Sequence, residues 1–252
     1  MARPFNITCD AFLNGRILAR QPEKGFRSGL DAVFLAALCP AKSRDRVLEA
    51  GCGAGVASLC LLARVPGTTA TGVEIDPDLA DLAAENAALN DAASSFEIVA
   101  ADVTQTWSEL ETLGLTRDAY DHVIANPPFY EHGRGRPSRD RRNARARAMN
   151  EADLDGWLRF LATAAAPGGT GTVIHTAEAL PQLLNAFEGR FGGLRIIPLY
   201  PKAGASAIRV IIRGTKGSRA PITIAPGFIL HNEDGTQTEA AKAILREGEG
   251  LN

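Results

Sequence analysis

At 252 residues, with 45% hydrophobic and 22% charged side chains, the chain can bury a large core and has an ordinary globular composition. No apolar run approaches the ~18 residues that cross a bilayer, and the start, MARPFNITCD, has no secretion signal, so we expect a cytoplasmic protein without membrane segments. The net charge of −2 does not decide for or against a polyanionic partner, which responds to local charge. The four cysteines form no Cys-x-x-Cys pair, and we expect neither disulfides nor a bound metal.

An alternation of strand-like and helix-like segments begins at Arg46. Short β-branched runs alternate there with alanine- and leucine-rich segments, the pattern of an α/β domain with helices on both faces of a largely parallel sheet. Asp76 and Pro77, an N-cap acceptor and a proline for the first helical position, predict the start of the second helix. The predicted strands are 46–50, 69–75, 96–101, 121–125, 170–175, 194–200 and 207–213. The predicted helices are 54–64, 77–90, 106–113, 152–165 and 178–190.

The last two predicted strands form a hairpin. Only residues 201–206 separate them, which is too short for a crossover helix, so the final strand runs antiparallel to its neighbour. We therefore predict a Rossmann-like fold with a seven-stranded, mostly parallel sheet over residues 46–217. An N-terminal segment, 1–45, and a C-terminal extension, 218–252, lie outside this core. For the extension the sequence predicts a short extended piece, an Asn-Glu-Asp-Gly turn and a small helix, packed on the core.

A glycine-rich turn follows the first predicted strand. Gly51, Gly53 and Gly55 let the backbone turn sharply and approach a ligand closely, and the next helix offers free N–H groups. A dinucleotide fingerprint would need a glycine at position 56, where the chain has Val56, so an NAD-dependent oxidoreductase is disfavoured. Glu49, at the start of the turn, would repel a pyrophosphate and suits a ligand that carries an ammonium group.

Carboxylates also end the second and third predicted strands. Glu74, followed by Ile75, takes the position at which a neighbouring strand contacts a ribose diol. Asp102, followed by Val103, can accept a hydrogen bond from an exocyclic adenine amine, although capping the next helix is an alternative role. Together with Glu49, these positions predict a cationic ligand that carries ribose and adenine but no phosphate.

The motifs EAGCGAG, GVEID, AADV and NPPF, in that order, resemble class I S-adenosylmethionine-dependent methyltransferases that modify N6 of adenine or N2 of guanine. The segments DAFLNGRILARQPEKGFRSGLDAVFLAA and FILHNEDGTQTEAAKAILREG are similar to the tRNA(Val) adenine-N6 methyltransferase family. Glu49 stands for a commoner aspartate of that pattern and Phe129 for a frequent tyrosine, and both keep the chemistry.

The resemblance implies S-adenosylmethionine as the cofactor and assigns its site. Segment 27–36 resembles the helix that precedes the first strand and covers the methionine end of the cofactor. The residues assigned to the cofactor are Arg27, Gly29, Asp31, Glu49, Gly51, Gly53, Gly55, Glu74, Ile75, Asp102, Val103 and Asn126.

The predicted catalytic segment is Asn126-Pro127-Pro128-Phe129. Both prolines lack an N–H and hold the residue before them extended, which leaves acceptors free. In such a methyltransferase the side-chain oxygen of Asn126 and the C=O of Pro127 accept both hydrogens of an exocyclic amine and turn its lone pair toward the methyl group. Phe129, with Tyr130 as the reserve, stacks on an extruded base, a contact worth ~1–3 kcal/mol. The alternative for Phe129 is a position in the core.

A dense run of arginines follows the predicted catalytic segment, and Asp140 is the only acidic residue within this run. Arginine suits forked contacts to phosphates and stacking on bases, so we predict that the run binds RNA, by resemblance a tRNA. A solvated basic surface is the alternative. The predicted RNA-binding residues are Arg134, Arg136, Arg139, Arg141, Arg142 and Arg145, beside Arg147. Candidates for an extension of the patch are Lys202, Arg209, Arg213, Lys216 and Arg219.

The favoured function is methylation of adenine N6 in a tRNA, by resemblance near the anticodon of tRNA(Val). N2 of a guanine in ribosomal RNA and the glutamine amide of a release factor stay open, because each acceptor is a planar NH2 group. A catalytically silent RNA-binding module is the alternative from a different class, and it is opposed by the intact carboxylates and Asn126. The pattern gives no oligomeric state.

Overall fold

The computed structural model of the protein describes residues 5–25, 27–128 and 151–251. Its strands are β1 (Ile7–Phe12), β2 (Ile17–Pro22), β3 (Arg46–Ala50), β4 (Thr69–Glu74), β5 (Phe96–Ala100), β6 (Tyr120–Ala125), β7 (Ala165–Thr176), β8 (Phe191–Lys202), β9 (Arg209–Lys216), β10 (Thr223–Ile224) and β11 (Phe228–His231). Its helices are α1 (Leu30–Leu38), α2 (Val56–Arg64), α3 (Pro77–Leu89), α4 (Trp107–Thr112), α5 (Glu151–Ala164), α6 (Leu180–Phe187) and α7 (Glu239–Leu245).

The centre of the fold is a sheet in the order β10-β8-β9-β7-β6-β3-β4-β5, with β11 also paired to β8. Strands β3 to β7 run parallel, and β9 is antiparallel to both β7 and β8. The predicted α/β, Rossmann-like class and the antiparallel last strand of seven are therefore confirmed, with β3 to β9 as the seven strands. The short strands β10 and β11 add to this sheet, parallel to β8, and enlarge it beyond the predicted number.

Helices cover both faces of the sheet, as the sequence predicts. One hydrophobic cluster joins the sheet to α1 and α2, and the other joins it to α4, α5 and α6. Helix α3 begins as expected, because the Asp76 side chain accepts a 3.0 Å hydrogen bond from the Asp78 N–H and Pro77 takes the first helical position. Among the described residues, no helix is long and apolar enough to span a bilayer.

The strand prediction is least accurate at the start of β7. This strand begins at Ala165, whereas the sequence pattern places its start at position 170. Residues 165–169 are alanine, proline and glycine, so no β-branched side chain marks this part of the strand.

The N-terminal segment contains a hairpin that the sequence interpretation did not include. Strands β1 and β2 pair antiparallel from Ile7 opposite Pro22 to Phe12 opposite Ile17. The turn places Leu13 and Asn14 in the left-handed region, with φ of 51° and 57°. This connection is not the two-residue turn that normally signals a hairpin in a sequence.

The C-terminal extension has the predicted order of extended piece, turn and helix, here β11, residues 232–235 and α7. Phe228 packs edge-on against Phe34 of α1, with ring centroids 5.1 Å apart. The Leu251 N–H donates to the Ala37 C=O at 2.9 Å. The division into 1–45, 46–217 and 218–252 stays a prediction, and one hydrophobic cluster contains residues from all three parts.

Candidate active site

Four of the predicted cofactor and catalytic residues lie at one edge of the sheet. Strands β5, β4, β3 and β6 are neighbours in that order and run parallel, so their carboxyl ends lie side by side. Asp102 follows β5, Glu74 ends β4, Glu49 lies in β3 and Asn126 follows β6. In open α/β sheets this edge is where ligands bind.

The glycine turn after β3 packs tightly against aromatic side chains. Gly51 has φ of +65°, and a Cβ there would lie 2.4 Å from the ring of Trp157 on α5. Gly55 has φ of +82°, and its Cβ would lie 2.7 Å from the Phe96 ring. Both positions therefore require glycine for packing as well as for a close approach to a ligand. Trp157 is a residue that the sequence interpretation missed.

Glu49 is a buried carboxylate with 3% of its surface exposed. Its Oε2 accepts hydrogen bonds from the Ser58 N–H at 3.0 Å and from the Ser58 hydroxyl at 2.5 Å. Burial raises the pKa of Glu49 to about 7, against the Ser58 hydrogen bonds that lower it, and the charge of Glu74 raises it further. A cationic ligand beside this group would favour its ionised form.

Glu74 bridges the glycine turn and the start of α3. Its Oε2 accepts from the Gly53 N–H at 2.8 Å, and its Oε1 accepts from the Asp76 N–H at 2.9 Å. Burial raises its pKa above the ordinary value, while these backbone hydrogen bonds oppose the shift. A carboxylate offers about four acceptor sites, so both oxygens can still bind ribose hydroxyls.

The third carboxylate, Asp102, organises its own loop. Its Oδ1 accepts from the Thr104 N–H at 2.8 Å and from the Thr104 hydroxyl at 2.7 Å. Asp102 does not cap α4, whose N-cap is Thr106. Val103 beside it is buried, whereas Ile75 exposes 49% of its surface at the same edge of the sheet. An exposed isoleucine and an aspartate there suit the apolar face and the polar edge of an adenine.

The segment before α1 is held by the N-terminal hairpin. The Arg27 guanidinium donates to the Thr8 hydroxyl and to the Pro22 C=O, each at 2.7 Å, and pairs with Asp10. Gly29 is the N-cap of α1. These contacts fix the segment in place, and a direct contact of Arg27 or Gly29 with the cofactor stays a prediction.

Asp31 lies in the first turn of α1 and faces β9. Its Oδ2 accepts from Arg209 Nε at 3.0 Å. Its Oδ1 is buried without a hydrogen-bond partner among the described residues. Nothing in the sequence pattern pairs Asp31 with Arg209, which lies 178 positions away.

Asn126 follows β6 directly and begins the predicted catalytic segment. Its Oδ1 is buried and has no hydrogen-bond partner in the described part of the chain. Pro127 after it is buried and Pro128 is half-buried. A buried acceptor without a donor costs roughly 1–3 kcal/mol, so this oxygen is suited to a donor that arrives with a ligand.

Comparison with known proteins identifies the family. The model of the family "Methyltransferase small domain" matches residues 29–159. The chain belongs to the methyltransferase small domain family.

Two curated relatives cover most of the chain. A protein of Aeromonas hydrophila subsp. hydrophila, named tRNA1(Val) (adenine(37)-N6)-methyltransferase, is 30% identical over 213 residues, which cover 84% of this chain and 85% of that protein. A protein of the same name from Enterobacter sp. (strain 638) is 28% identical over 225 residues, covering 81% and 88%. The crystal structure of Atu636 from Agrobacterium tumefaciens, described as a predicted O-methyltransferase, has a TM-score of 0.74 and 26% identity, covering 88% of this chain and 98% of that one.

The site of this methyltransferase fits S-adenosylmethionine, its cofactor. Glu49, Glu74 and Asp102 place carboxylates along the edge where the ligand's ammonium, ribose and adenine are expected. Carboxylates rather than cations line the glycine turn, which suits a positively charged ligand without phosphate. Among the described residues, no group of three His, Cys, Asp or Glu side chains could hold a metal ion.

The rest of the predicted substrate surface lies outside the described residues. Phe129, Tyr130 and the arginines of 134–147 fall in this range. Their assignments to base stacking and RNA binding stay predictions.

The sheet separates the further candidates for the basic patch. Lys202 at the end of β8 and Arg209 at the start of β9 lie at the same edge as Asn126. Lys216 pairs with Asp118 and lies opposite Phe191, at the other edge, and Arg219 follows it. Arg213 lies within β9 and donates to the Leu38 C=O at 3.2 Å. Lys216, Arg219 and Arg213 therefore do not extend a basic patch beside the predicted catalytic segment.

Proposed function

We propose that the protein transfers a methyl group from S-adenosylmethionine to N6 of an adenine in a tRNA, near the anticodon of tRNA(Val), and that it works in the cytoplasm. The observation that carries this proposal is the Oδ1 of Asn126, directly after β6, which is buried and has no hydrogen-bond partner within residues 5–25, 27–128 and 151–251. The two curated relatives named above, both tRNA1(Val) (adenine(37)-N6)-methyltransferases, support the choice of substrate.

The cofactor half of the site comprises the ends of β3, β4 and β5. When bound, S-adenosylmethionine supplies a methyl group on a positively charged sulfur. Glu49 would face the ammonium group, Glu74 the ribose hydroxyls, and Asp102 the adenine amine. Each carboxylate already accepts backbone hydrogen bonds, so these side chains are held in place before the ligand arrives.

The acceptor half of the site comprises Asn126 and Pro127. The Asn126 Oδ1 would accept one hydrogen of the amine, and the Pro127 C=O would accept the other. Holding both hydrogens fixes the nitrogen and directs its lone pair toward the methyl group, and such alignment supplies most of the acceleration in an in-line displacement. The amine loses a proton after attack, so no general base has to act first.

An amine acceptor fits this pair of acceptors better than a hydroxyl does. A hydroxyl has a single hydrogen to donate, whereas an exocyclic amine has two. This argument favours N-methylation, although the similar Agrobacterium protein is described as a predicted O-methyltransferase. Adenine N6, guanine N2 and a glutamine amide all satisfy it, and the relatives favour adenine.

The experiment is a parallel incubation of the purified protein with labelled S-adenosylmethionine and three acceptors. These are undermethylated total tRNA, ribosomal RNA and a translation release factor. The products are digested and analysed by mass spectrometry for methylated nucleosides and methylated glutamine. We expect N6-methyladenosine in the tRNA digest.

The other outcomes each select an alternative. N2-methylguanosine in ribosomal RNA, methylglutamine in the release factor, or a methylated ribose hydroxyl would replace the proposed acceptor. Cofactor binding by calorimetry without any labelled product would favour an RNA-binding module that has lost turnover.

A further inference from the structure

Asn86 of α3 lies at the contact between the N-terminal hairpin and the glycine turn. It is fully buried, with 0% of its surface exposed. Its Oδ1 accepts from the Arg20 N–H at 2.8 Å, and its Nδ2 donates to the Arg20 C=O and to the Ala54 C=O, each at 2.9 Å. One side chain therefore binds the backbone of the hairpin and the backbone of the turn.

Asn90, one helical turn later, repeats the hairpin contact without the second one. Its Oδ1 accepts from the Leu18 N–H at 2.9 Å, and its Nδ2 donates to the Leu18 C=O and to the Asn86 C=O, each at 2.7 Å. Residues four apart lie on one face of a helix, and alternate residues of a strand direct their backbone groups to the same edge. The two asparagines thus pair the open edge of β2 as a neighbouring strand would.

The backbone conformation of the glycine turn depends on the hydrogen bond to the Ala54 carbonyl. Ala54 lies between Gly53 and Gly55, with φ of 55° and 82° at these glycines. A turn built from such residues has many alternative conformations, and few hydrogen bonds select one of them. The bond from Asn86 is one of these, and the bond from the Gly53 N–H to Glu74 is another.

The hairpin also holds the segment that precedes α1. Gln21 of β2 is 1% exposed, and its Oε1 accepts from the Ser28 N–H at 2.8 Å. Its Nε2 donates to the Ser28 C=O at 3.2 Å and to Asp10 at 2.8 Å, and Asp10 also pairs with Arg27. The hairpin is therefore bonded directly to the segment before α1 and, through Asn86, to the glycine turn, and these two segments assigned to the cofactor are far apart in the sequence.

We propose that the N-terminal hairpin is a part of the cofactor site and that Asn86 is the positioning residue that couples it to the glycine turn. This inference rests on the proposed binding of the cofactor at that turn. Asn86 touches no reacting atom. It holds the Ala54 carbonyl, and thereby the flanking N–H groups, in the conformation that binds the cofactor.

The test compares Asn86→Ala with Asn90→Ala in the full-length protein. Both variants remove a two-bond contact with β2, and only the first removes the bond to Ala54. S-adenosylmethionine affinity is measured by calorimetry, and KM and kcat are measured with tRNA. For Asn86→Ala we expect Kd and KM for S-adenosylmethionine to rise about tenfold, with kcat at saturation within about twofold of wild type. For Asn90→Ala we expect all three values within about twofold.

Gln21→Ala tests the same coupling through the other segment, and it serves where Asn86→Ala does not fold. We expect it to raise the cofactor Kd by about threefold or more. Amide hydrogen exchange in Asn86→Ala should be faster than in Asn90→Ala at residues 53–55 but not in the core strand β3, whereas a general loss of stability would speed exchange in both regions.

Glu74→Ala separates a failure of this inference from a failure of the site. If Glu74→Ala weakens the cofactor while Asn86→Ala and Gln21→Ala bind it as wild type does, the hairpin is only structural and the inference is wrong. If Glu74→Ala also binds normally, the assigned cofactor site itself is wrong. Equal losses of affinity in Asn86→Ala and Asn90→Ala would likewise contradict a specific role of Asn86.

Discussion

The two halves of the sheet edge differ in how their polar groups are used. In the cofactor half, Glu49, Glu74 and Asp102 all accept hydrogen bonds from backbone N–H groups, those of Ser58 in α2, Gly53 in the glycine turn and Thr104 after β5, respectively. In the acceptor half, the Asn126 Oδ1 is buried and unpartnered among the described residues. The first half is complete before its ligand binds, whereas the second lacks a donor that a substrate amine can supply.

This difference implies that the cofactor half determines affinity and the acceptor half determines turnover. Groups that are already bonded hold the shape of a binding site, and their loss changes affinity. An acceptor without a donor contributes mainly when the substrate is aligned for reaction, and its loss changes turnover. Variants in the two halves should therefore change different kinetic constants.

The largest effect is expected for Asn126→Ala. This change removes the oxygen that orients the amine, so turnover should fall about 100-fold or more, by analogy with the loss of other preorganised hydrogen-bonding groups. Cofactor Kd should stay within about twofold of wild type. Single-turnover kinetics and calorimetry on one preparation measure both constants, with Asn185→Ala, an exposed position on α6, as the control. Near-normal methylation by Asn126→Ala would refute the catalytic assignment.

The next effect is expected for Glu74→Ala in the cofactor half. Loss of charge-assisted bonds to a ribose, together with the bond to the Gly53 N–H, should weaken cofactor binding by ~1.5–3 kcal/mol, or roughly 10- to 100-fold. Calorimetry measures this loss, and Glu97→Ala, an exposed glutamate on β5, should bind normally. An unchanged affinity would mean that Glu74 serves the fold alone.

Glu49 should make cofactor binding depend on pH. Burial raises its pKa from 4.5 to about 7, so between these values the folded protein binds a proton that the unfolded chain releases. The contribution of Glu49 to stability therefore falls as the pH rises through this range. The cofactor's ammonium group favours ionised Glu49, so binding should release a proton, and affinity should fall up to about tenfold per pH unit below 7.

Calorimetry in buffers of different ionisation enthalpy counts the released protons near pH 6. Glu49→Gln should remove the proton release and flatten the pH profile while weakening the cofactor. It should also raise the melting temperature of the free protein above about pH 7, because the ionised buried carboxyl is gone. A pH slope that persists in Glu49→Gln would assign the titration to another group.

The smallest effect is expected at two lysines on opposite edges of the sheet. Lys202 lies at the edge of Asn126 and Lys216 at the other. If tRNA lies across the acceptor edge, Lys202→Ala should weaken tRNA binding about two- to fivefold, and Lys216→Ala should leave it unchanged. Binding to the wild type should weaken with salt, with a log–log slope of about 0.7 per single-strand phosphate neutralised. Equal effects of both lysines would contradict this orientation of the tRNA.

Much of the sheet could be predicted because its strands and turns are marked by residues that are adjacent in the sequence. The strands β3, β4, β5 and β6 are β-branched runs between turn residues, and Asp76 with Pro77 marks the start of α3 by itself. The carboxylates could be predicted to lie together because parallel neighbouring strands end at one edge. Their roles toward the cofactor remain proposals.

The features that could not be predicted from the sequence depend on contacts between residues far apart in the chain. Trp157 meets Gly51, and Asn86 meets Arg20 and Ala54, across large separations in sequence. Helical periodicity says only that such side chains face inward, and it does not say which backbone they meet. Only the first strand of the hairpin carries a sequence signal, the apolar–polar alternation of residues 7–11, because residues 17–22, ILARQP, do not alternate.

The central claim is that Asn126 binds a planar amine on an adenine of tRNA. The most direct measurement is methyl transfer to a synthetic tRNA(Val) anticodon stem-loop in which single loop adenines are replaced by inosine, which lacks the exocyclic amine. We expect one methyl group on N6 of a loop adenine, and none when that adenine is replaced by inosine. Equal methylation of the inosine-containing stem-loop would refute the assignment of Asn126, because the acceptor would then not be the amine.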